Sequence, residues 1–416
     1  MHIQGECTLN ASGRVDRLVL SAILIIFVTL AVINNVVTPL FEGPDETAHF
    51  QYVKYMADGN GLPALHKSPR DVLWEGLQQP PLYYALGAAL TFWIDTGDLP
   101  DLLWENPHRG GETGGINLYY HTDREAFPYR GTTLAVRIVR LLSTAFGALT
   151  VLATYLAARA LVPEHRPFAL GTAALIAFDP QFISTSSTVG NDTAVAAFCS
   201  LGTWLSLRAI QQRRLTGKDA LRLSAIVALA AATKPSGLAF LLPAALTVAL
   251  VARANRSSWR ALLAGWGMVG VLVLSLAGWW YIRNLILYGD PLGFNAMVAI
   301  DAETIRADPL PLGEALYDSP WLQKSFWGVF GNGVLMDFAV YRILEIAMRL
   351  SLLGLFVWVL RQLRQRAAEK TVWEGLGVLI LWSGLVYLAL LRFMMNIDAT
   401  NQGRLLFPAI SALSIL

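Results

Sequence analysis

The segment Phe41-Glu42-Gly43-Pro44-Asp45-Glu46-Thr47-Ala48-His49-Phe50 places two carboxylates and an imidazole close together, just where the first apolar run ends. Pro44 suits the first turn of a helix, and Asp45 and Glu46 suit its positive N-terminal end. In a helix starting here, Asp45 and His49 are four apart and share a face, while Glu46 and His49, three apart, are also neighbours. An acid held in this way is suited to act as a general base toward a hydroxyl acceptor. The same two acids would also serve simply as helix caps. A metal-binding reading of Asp45, Glu46 and His49 is weaker: the segment lacks the second His of His-Glu-x-x-His, and its three donors need a partner from elsewhere. The expectation is therefore no cofactor, with a divalent metal as the lesser alternative.

Further polar residues recur at the ends of apolar runs. Asn191-Asp192 opens one, Lys234-Pro235-Ser236-Gly237 separates two, and Arg283-Asn284 follows Trp279-Trp280-Tyr281, with Tyr288-Gly289-Asp290-Pro291 soon after. Gln402-Gly403-Arg404 opens the last. Each alone reads as a snorkelling side chain or a cap. Charges at membrane depth are costly, so a set of them on one face points to function. Cations beside carboxylates at headgroup level suit a phosphate-bearing lipid together with a polar acceptor. In Glu75-Gly76-Leu77-Gln78-Gln79-Pro80-Pro81-Leu82-Tyr83-Tyr84, the prolines set an extended entry into a short apolar helix, and the tyrosines read as interfacial anchors. The aromatics of Ser325-Phe326-Trp327-Gly328-Val329-Phe330-Gly331 read as resting on the membrane rather than stacking on a sugar.

The elements that position these residues follow from composition. Of 416 residues, 55% are hydrophobic and only 15% charged, and mean hydropathy is +0.47. A soluble chain of this length needs more surface charge, so the class is an all-α, polytopic integral membrane protein. Net charge is +2, which points to no nucleic-acid partner, and Cys7 and Cys199 support neither a disulfide framework nor a four-ligand zinc site. Ten apolar runs predict about ten spans, at 18–40, 134–161, 168–187, 192–210, 220–233, 236–252, 261–282, 339–360, 372–391 and 405–416. Pro80–Ile94 is short for a span and reads as an interfacial or half-buried helix. The first run carries Arg14 and Arg17 ahead of it but no Ala-x-Ala site, so it reads as an uncleaved helix. The last stops mid-run, and the expectation is a truncated chain or an incomplete helix.

With the N-terminus cytoplasmic, the short inside loops at 162–167, 211–219, 253–260 and 361–371 carry 11 of the 32 Lys and Arg, whereas the opposite short loops carry Lys234 alone. This predicts a single membrane domain over 1–416, in the cell membrane, with long extracytoplasmic stretches at 42–133 and 283–338. It places Asp45, Asp192, Lys234, Arg283 and Arg404 on one face. The two halves show no inverted pair of broken helices.

Pro44-Asp45-Glu46 with His49-Phe50 after a first span resembles the first outside loop of GT-C membrane glycosyltransferases. The resemblance is to the phospholipid-carrier-dependent branch, related to protein O-mannosyltransferases and aminoarabinose transferases. It covers most of the chain, taking in Gln79-Pro80-Pro81-Leu82-Tyr83-Tyr84, Asn191-Asp192, Lys234-Pro235-Ser236-Gly237, Arg283-Asn284 and Gly403-Arg404 with Phe407-Pro408. It implies Asp45 as the catalytic base, with Glu46 and His49 tuning it or positioning the acceptor. It also implies a polyprenyl-phosphate-linked sugar as donor, and a many-helix fold with two interfacial helices in the first outside loop. In the aminoarabinose branch a Lys ahead of the paired prolines meets the lipid phosphate. Here that position is Gln79, so Lys234, Arg283 and Arg404 become the candidate phosphate ligands, with Asp192 and Asn284 beside them.

The resemblance thus implies a lipid-phosphate-sugar-dependent, inverting hexosyl- or pentosyltransferase acting on an acceptor hydroxyl of a protein, lipid or glycan. The rival is a secondary transporter or lipid flippase, which calls for charges near the bilayer midplane.

Overall fold

The computed structural model describes residues 2–64, 79–108, 117–300, 305–317, 319–331, 333–365, 369–398 and 400–416. In chain order its helices are α1 (His2–Val37), α2 (Glu46–Ala57), α3 (Leu82–Thr91), α4 (Gly131–Leu161), α5 (Arg166–Ala177), α6 (Pro180–Thr185), α7 (Asp192–Gln211), α8 (Gly217–Thr233) and α9 (Pro235–Leu238). They continue as α10 (Leu241–Ala254), α11 (Trp259–Val273), α12 (Trp279–Tyr288), α13 (Phe294–Ile300), α14 (Leu312–Tyr317), α15 (Ser319–Trp327), α16 (Phe338–Gln365), α17 (Lys370–Asn396) and α18 (Ile410–Ile415). Among the described residues the sheet content is one antiparallel pair, β1 (Val329–Phe330) with β2 (Val334–Leu335). The all-α polytopic class holds.

Among the described residues, seven of the ten apolar runs form helices or helix pairs long and apolar enough to cross a membrane: 14–37, 131–161, 192–211, 235–254, 259–288, 338–365 and 370–396. The other three apolar runs are shorter or broken for local reasons. Run 168–187 divides into α5 and α6 because Asp179 caps α6, accepting from Gln181 N at 2.8 Å and Phe182 N at 3.1 Å, while Pro180 takes its first turn. Run 220–233 is α8, 17 residues long and opened by a Thr216–Asp219 capping box. Run 405–416 begins as a 3-10 segment, Gly403–Ala409, with Pro408 inside it, and regains α geometry only in α18. The short α3 is the apolar helix expected after Pro80-Pro81.

The core centres on α4 lying along α7, with α1, α5, α8, α17 and α18 around them. A Cβ at Gly147 would come within 2.5 Å of Ser186 Oγ and 2.7 Å of Phe27 Cζ, so glycine is what lets α1, α4 and the end of α6 meet. Thr144, Thr150 and Thr154 return their hydroxyls to carbonyls four residues earlier, at 3.1, 3.0 and 2.9 Å, and so bury no unpaired group.

The connections sort to two ends. At one, Asp16 pairs with Arg166 at 3.2 Å, Arg213 pairs with Glu374, and the Asn255 amide donates to the Arg213 carbonyl at 2.9 Å. These are the Arg-rich connections. At the other end lie the stretch after α1, the starts of α4 and α7, the α8–α9 junction and Gly403–Ala409.

Candidate active site

The strand of chain leading into α2 is held in an unusual shape. Phe41 has φ 64° and Asp45 has φ 60°, both left-handed, a conformation that costs a non-glycine residue about 1–3 kcal/mol and persists only where neighbours impose it. Glu46 imposes it. Its fully buried carboxylate accepts from Phe41 N at 3.0 Å, from Val189 N at 2.8 Å, and from Arg140 through Nε and Nη2, each at 2.7 Å. Arg140 also donates to the carbonyls of Asn35, Thr38 and Pro39, at 3.0, 2.9 and 2.9 Å, closing the corner from α1. Glu46 therefore does not stand beside Asp45 as a second reactive acid. With four donors on a carboxylate sealed from solvent, it fixes the backbone that presents Asp45. The joint metal reading of Asp45, Glu46 and His49 loses its third donor for the same reason.

Asp45 turns the opposite way, into a charge cluster drawn from four parts of the chain. Arg404 donates through Nη2 to Asp45 Oδ2, through Nη1 to Asp192 Oδ2 at 3.0 Å, and through Nε to Gln402 Oε1 at 2.7 Å. Lys234 Nζ donates to the other oxygen of Asp192. Asp192 starts α7, Lys234 sits at the break between α8 and α9, and Arg404 lies in the 3-10 segment. The Asp45 side chain is 50% exposed, against 10% for Arg404 and 3% for Asp192, so Asp45 is the open edge of the cluster. Partial burial pushes the Asp45 carboxyl up, but the Arg404 guanidinium and the neighbouring His49 pull it down further. It is a carboxylate at neutral pH, and a weak base while Arg404 holds it.

His49, one turn along α2, donates to or accepts from Tyr84 OH through Nδ1 at 2.8 Å, and the two rings stack with centroids 5.7 Å apart. Tyr52 stacks on Tyr84 with ring centroids 3.9 Å apart. Burial pushes the His49 imidazole down to about 4, with Lys234 and Arg404 adding to that against Asp45 and Asp192, so the ring is neutral at pH 7. Gln79 is at the same end: its side-chain oxygen accepts from Asn191 Nδ2 at 3.3 Å, next to Asp192, and its carbonyl accepts from Tyr52 OH at 3.4 Å.

Arg283 stands apart from the cluster. It donates to the Pro63 carbonyl at 2.6 Å, lies 4.8 Å over the Trp280 ring, and among the described residues forms no ion pair with Asp45 or Asp192. It lines a cavity of about 520 Å³ with Ala64, Trp279, Ile282, Ile286 and Leu287. Its neighbour Asn284 is fully buried in α12.

Two supports, Arg140 and His121, escaped the sequence reading, and a third segment sits differently from its expected place. Arg140 lies inside an apolar run, and its cost there was the available signal of a buried partner. His121 bridges two carboxylates, at 2.9 Å to Glu42 and 2.5 Å to Glu125, and Glu42 also accepts from Leu118 N at 2.8 Å, which ties the first long loop to the corner before Asp45. Nothing in the spacing of those three announces this. Ser325–Gly331 packs inward rather than along a membrane surface: Gly403 N donates to Ser325 Oγ at 2.8 Å, Val329 N donates to Gln181 Oε1 at 2.7 Å, and Phe326 meets Phe407 edge-on at 5.7 Å. A Cβ at Gly403 would fall 2.2 Å from Phe326 N, so a glycine is needed for the 3-10 segment to seat Arg404.

Residues 133–281 match the family described as dolichyl-phosphate-mannose-protein mannosyltransferase, a stretch that contains Asp192 and Lys234. The match agrees with the resemblance to GT-C membrane glycosyltransferases. No curated protein matches the sequence. Among solved structures the chain is similar to the oligosaccharyltransferase of Archaeoglobus fulgidus tethered to an acceptor peptide containing the NVT sequon, with 13% identity, TM-score 0.49, and coverage of 96% of this chain and 49% of that one. It is also similar to the apo form, with 15% identity, TM-score 0.47, and coverage of 96% and 50%. A third is the archaeal oligosaccharyltransferase AglB of Archaeoglobus fulgidus in complex with an inhibitory peptide and a dolichol-phosphate, with 14% identity, TM-score 0.48, and coverage of 96% and 50%. The chain spans about half the length of these structures.

Proposed function

We propose that this protein is a multi-pass membrane glycosyltransferase that moves a hexosyl or pentosyl group from a polyprenyl-phosphate-linked donor to an acceptor hydroxyl. The observation that carries the reading is the pairing of an exposed carboxylate, Asp45, with Arg404, which shares the buried Asp192 with a second cation, Lys234. That set matches the needs of the reaction. The acceptor oxygen attacks the anomeric carbon and gives its proton to Asp45. The bond from that carbon to the phosphate oxygen breaks, and its electron pair leaves with the lipid phosphate. The leaving group is already a stable anion, so positioned cations are the main catalytic requirement, and Arg404 and Lys234 supply them. Attack opposite the departing phosphate, with inversion, needs one base and no covalent intermediate.

The neutral ring of His49 and the side chain of Gln79, at the same end as Asp45, suit contacts to acceptor or sugar hydroxyls. Arg283, among apolar side chains, suits the path of the lipid rather than the reacting phosphate. The Arg-rich connections at the opposite end support an extracytoplasmic site in the cell membrane with a cytoplasmic N-terminus. The cluster's place at helix ends favours this reading over a transporter, which needs charges at mid-depth.

The test is sugar transfer from a polyprenyl-phosphate sugar by purified protein, comparing wild type with Asp45→Asn. A loss of about 10²–10⁴-fold is expected for removal of a general base. Turnover like wild type in a folded Asp45→Asn protein removes Asp45 from this role.

A further inference from the structure

We propose that the donor's phosphate displaces Asp45 from Arg404, so that donor binding is what frees the base. This rests on the glycosyl-transfer reading above and adds to it an order of events: donor first, acceptor second.

The three contacts of Arg404 are unequal. Nε and Nη1 end on Gln402 and on the buried Asp192, which also holds Lys234. Nη2 ends on the half-exposed Asp45. Withdrawing Arg404 from Asp192 would strand a buried carboxylate beside a single cation, which is costly. Withdrawing it from Asp45 strands nothing, because that carboxylate can turn to water. Little else restrains it. Asp45 takes the N-cap position of α2 but makes no capping hydrogen bond, and Arg404 is its one side-chain hydrogen-bond partner among the described residues.

The charges point the same way. Two carboxylates and two cations cancel in the cluster. An incoming phosphate diester adds one negative charge, and the resulting repulsion falls on the carboxylate that can move. Once a phosphate oxygen faces Nη2, Asp45 loses the cation that holds its proton affinity down and gains an anion that raises it. The weak base of the resting cluster becomes a stronger one when a donor is present to be attacked. After transfer the proton on Asp45 passes to water, the lipid phosphate departs, and the ion pair re-forms. A sugar acceptor arriving alone meets a base that is tied up.

Coupling of this kind is reciprocal: if phosphate raises the proton affinity of Asp45, the charge on Asp45 weakens phosphate binding by the same factor. Binding of farnesyl phosphate, with farnesol as the uncharged control, is therefore measured at pH 7 on the purified full chain in an uncharged detergent, for wild type, Asp45→Asn and Asp45→Ser. Either variant suffices should the other fail to fold. The expected result is farnesyl phosphate binding about tenfold tighter in the variants than in wild type, the scale of removing a close like charge, with farnesol unchanged. Binding equal to or weaker than wild type in the folded variants overturns the exchange and leaves the donor reading standing. No binding of farnesyl phosphate by any of the three proteins removes the donor reading itself.

Discussion

Glu46 and Arg140, 94 residues apart in sequence and both sealed from solvent, meet through two parallel hydrogen bonds of 2.7 Å. The pair joins the start of α2 to α4 and, through the carbonyls that Arg140 collects, to the end of α1. It holds the corner in which Asp45 sits. Removing one partner leaves an uncompensated buried charge, so Glu46→Ala and Arg140→Ala are each expected to lose about 3–5 kcal/mol of stability. The double variant is expected to lose much less than the sum. Thermal melting of the four proteins decides this; additive losses would mean that the two residues do not act as a pair.

The hydroxyl of Tyr84 has His49 Nδ1 as its hydrogen-bond partner, at 2.8 Å. A buried hydroxyl that donates here leaves Nδ1 as the acceptor and the proton on Nε2, the edge that lies toward Gly190 near the cluster. Tyr84→Phe frees the ring to take either tautomer. The expected outcome is a several-fold loss in kcat/KM, with the fold intact because the Tyr52–Tyr84 stack remains. Equal kcat/KM for Tyr84→Phe and wild type rules out this positioning role.

His49 also contributes acid sensitivity. Its folded value, about 4, lies below the unfolded value of 6.5, so between those limits the unfolded chain binds the extra proton. Stability from this residue is present above pH 6.5 and is lost as the pH falls toward 4. Melting temperatures measured across pH 4–7 are expected to fall less steeply for His49→Gln than for wild type.

His121 has the opposite sign. Its partial burial opposes the charge, but hydrogen bonds to Glu125 and Glu42 raise it to about 9. Folded protein therefore holds a proton that the unfolded chain, at 6.5, gives up. The stabilisation is complete below pH 6.5 and declines as the pH rises to about 9. His121→Asn is expected to melt lower than wild type at pH 6 and to converge on it above pH 9. A constant gap between the two across that range would show that the clamp acts without charge.

Gly403→Ala tests the seating of Arg404. The added Cβ falls 2.2 Å from Phe326 N and 2.4 Å from its Cα, both backbone atoms that cannot give way by a rotamer change. Displacement of the 3-10 segment is expected to cost about 1–3 kcal/mol of stability, the scale of overpacking, and to reduce transfer as Arg404 moves from Asp45 and Asp192. Transfer at the wild-type rate would show that the cluster tolerates that movement.

The charged members of the cluster were readable because they are out of place. Asp45, Asp192, Lys234 and Arg404 interrupt or border apolar runs, and counting Arg and Lys in the short loops puts them at one end. What they do to one another was not readable. Asp45 and Glu46 are adjacent and chemically alike, yet one faces the open cluster and the other the core, because the left-handed turn at Asp45 sends their side chains apart. Arg283 carries the same kind of signal as Arg404, but Pro63 and Trp280 hold it elsewhere.

Hydrophobic run length and loop charge determined the class, the alternation of the chain between two ends and the end that collects the Asp45, Asp192, Lys234 and Arg404 charges, since these depend on transfer energies that add along the sequence. Among the described residues seven of the ten runs form long apolar helices or helix pairs, while Asp179-Pro180 and Pro408 break two runs locally and α8 is a shorter helix of 17 residues. Only the tertiary structure decided which carboxylate faces the open cluster, which cation pairs with it and which residues hold that corner. Those assignments depend on partners up to 359 residues apart, and a pairwise contact of a few ångströms has no expression in local sequence until the chain has folded.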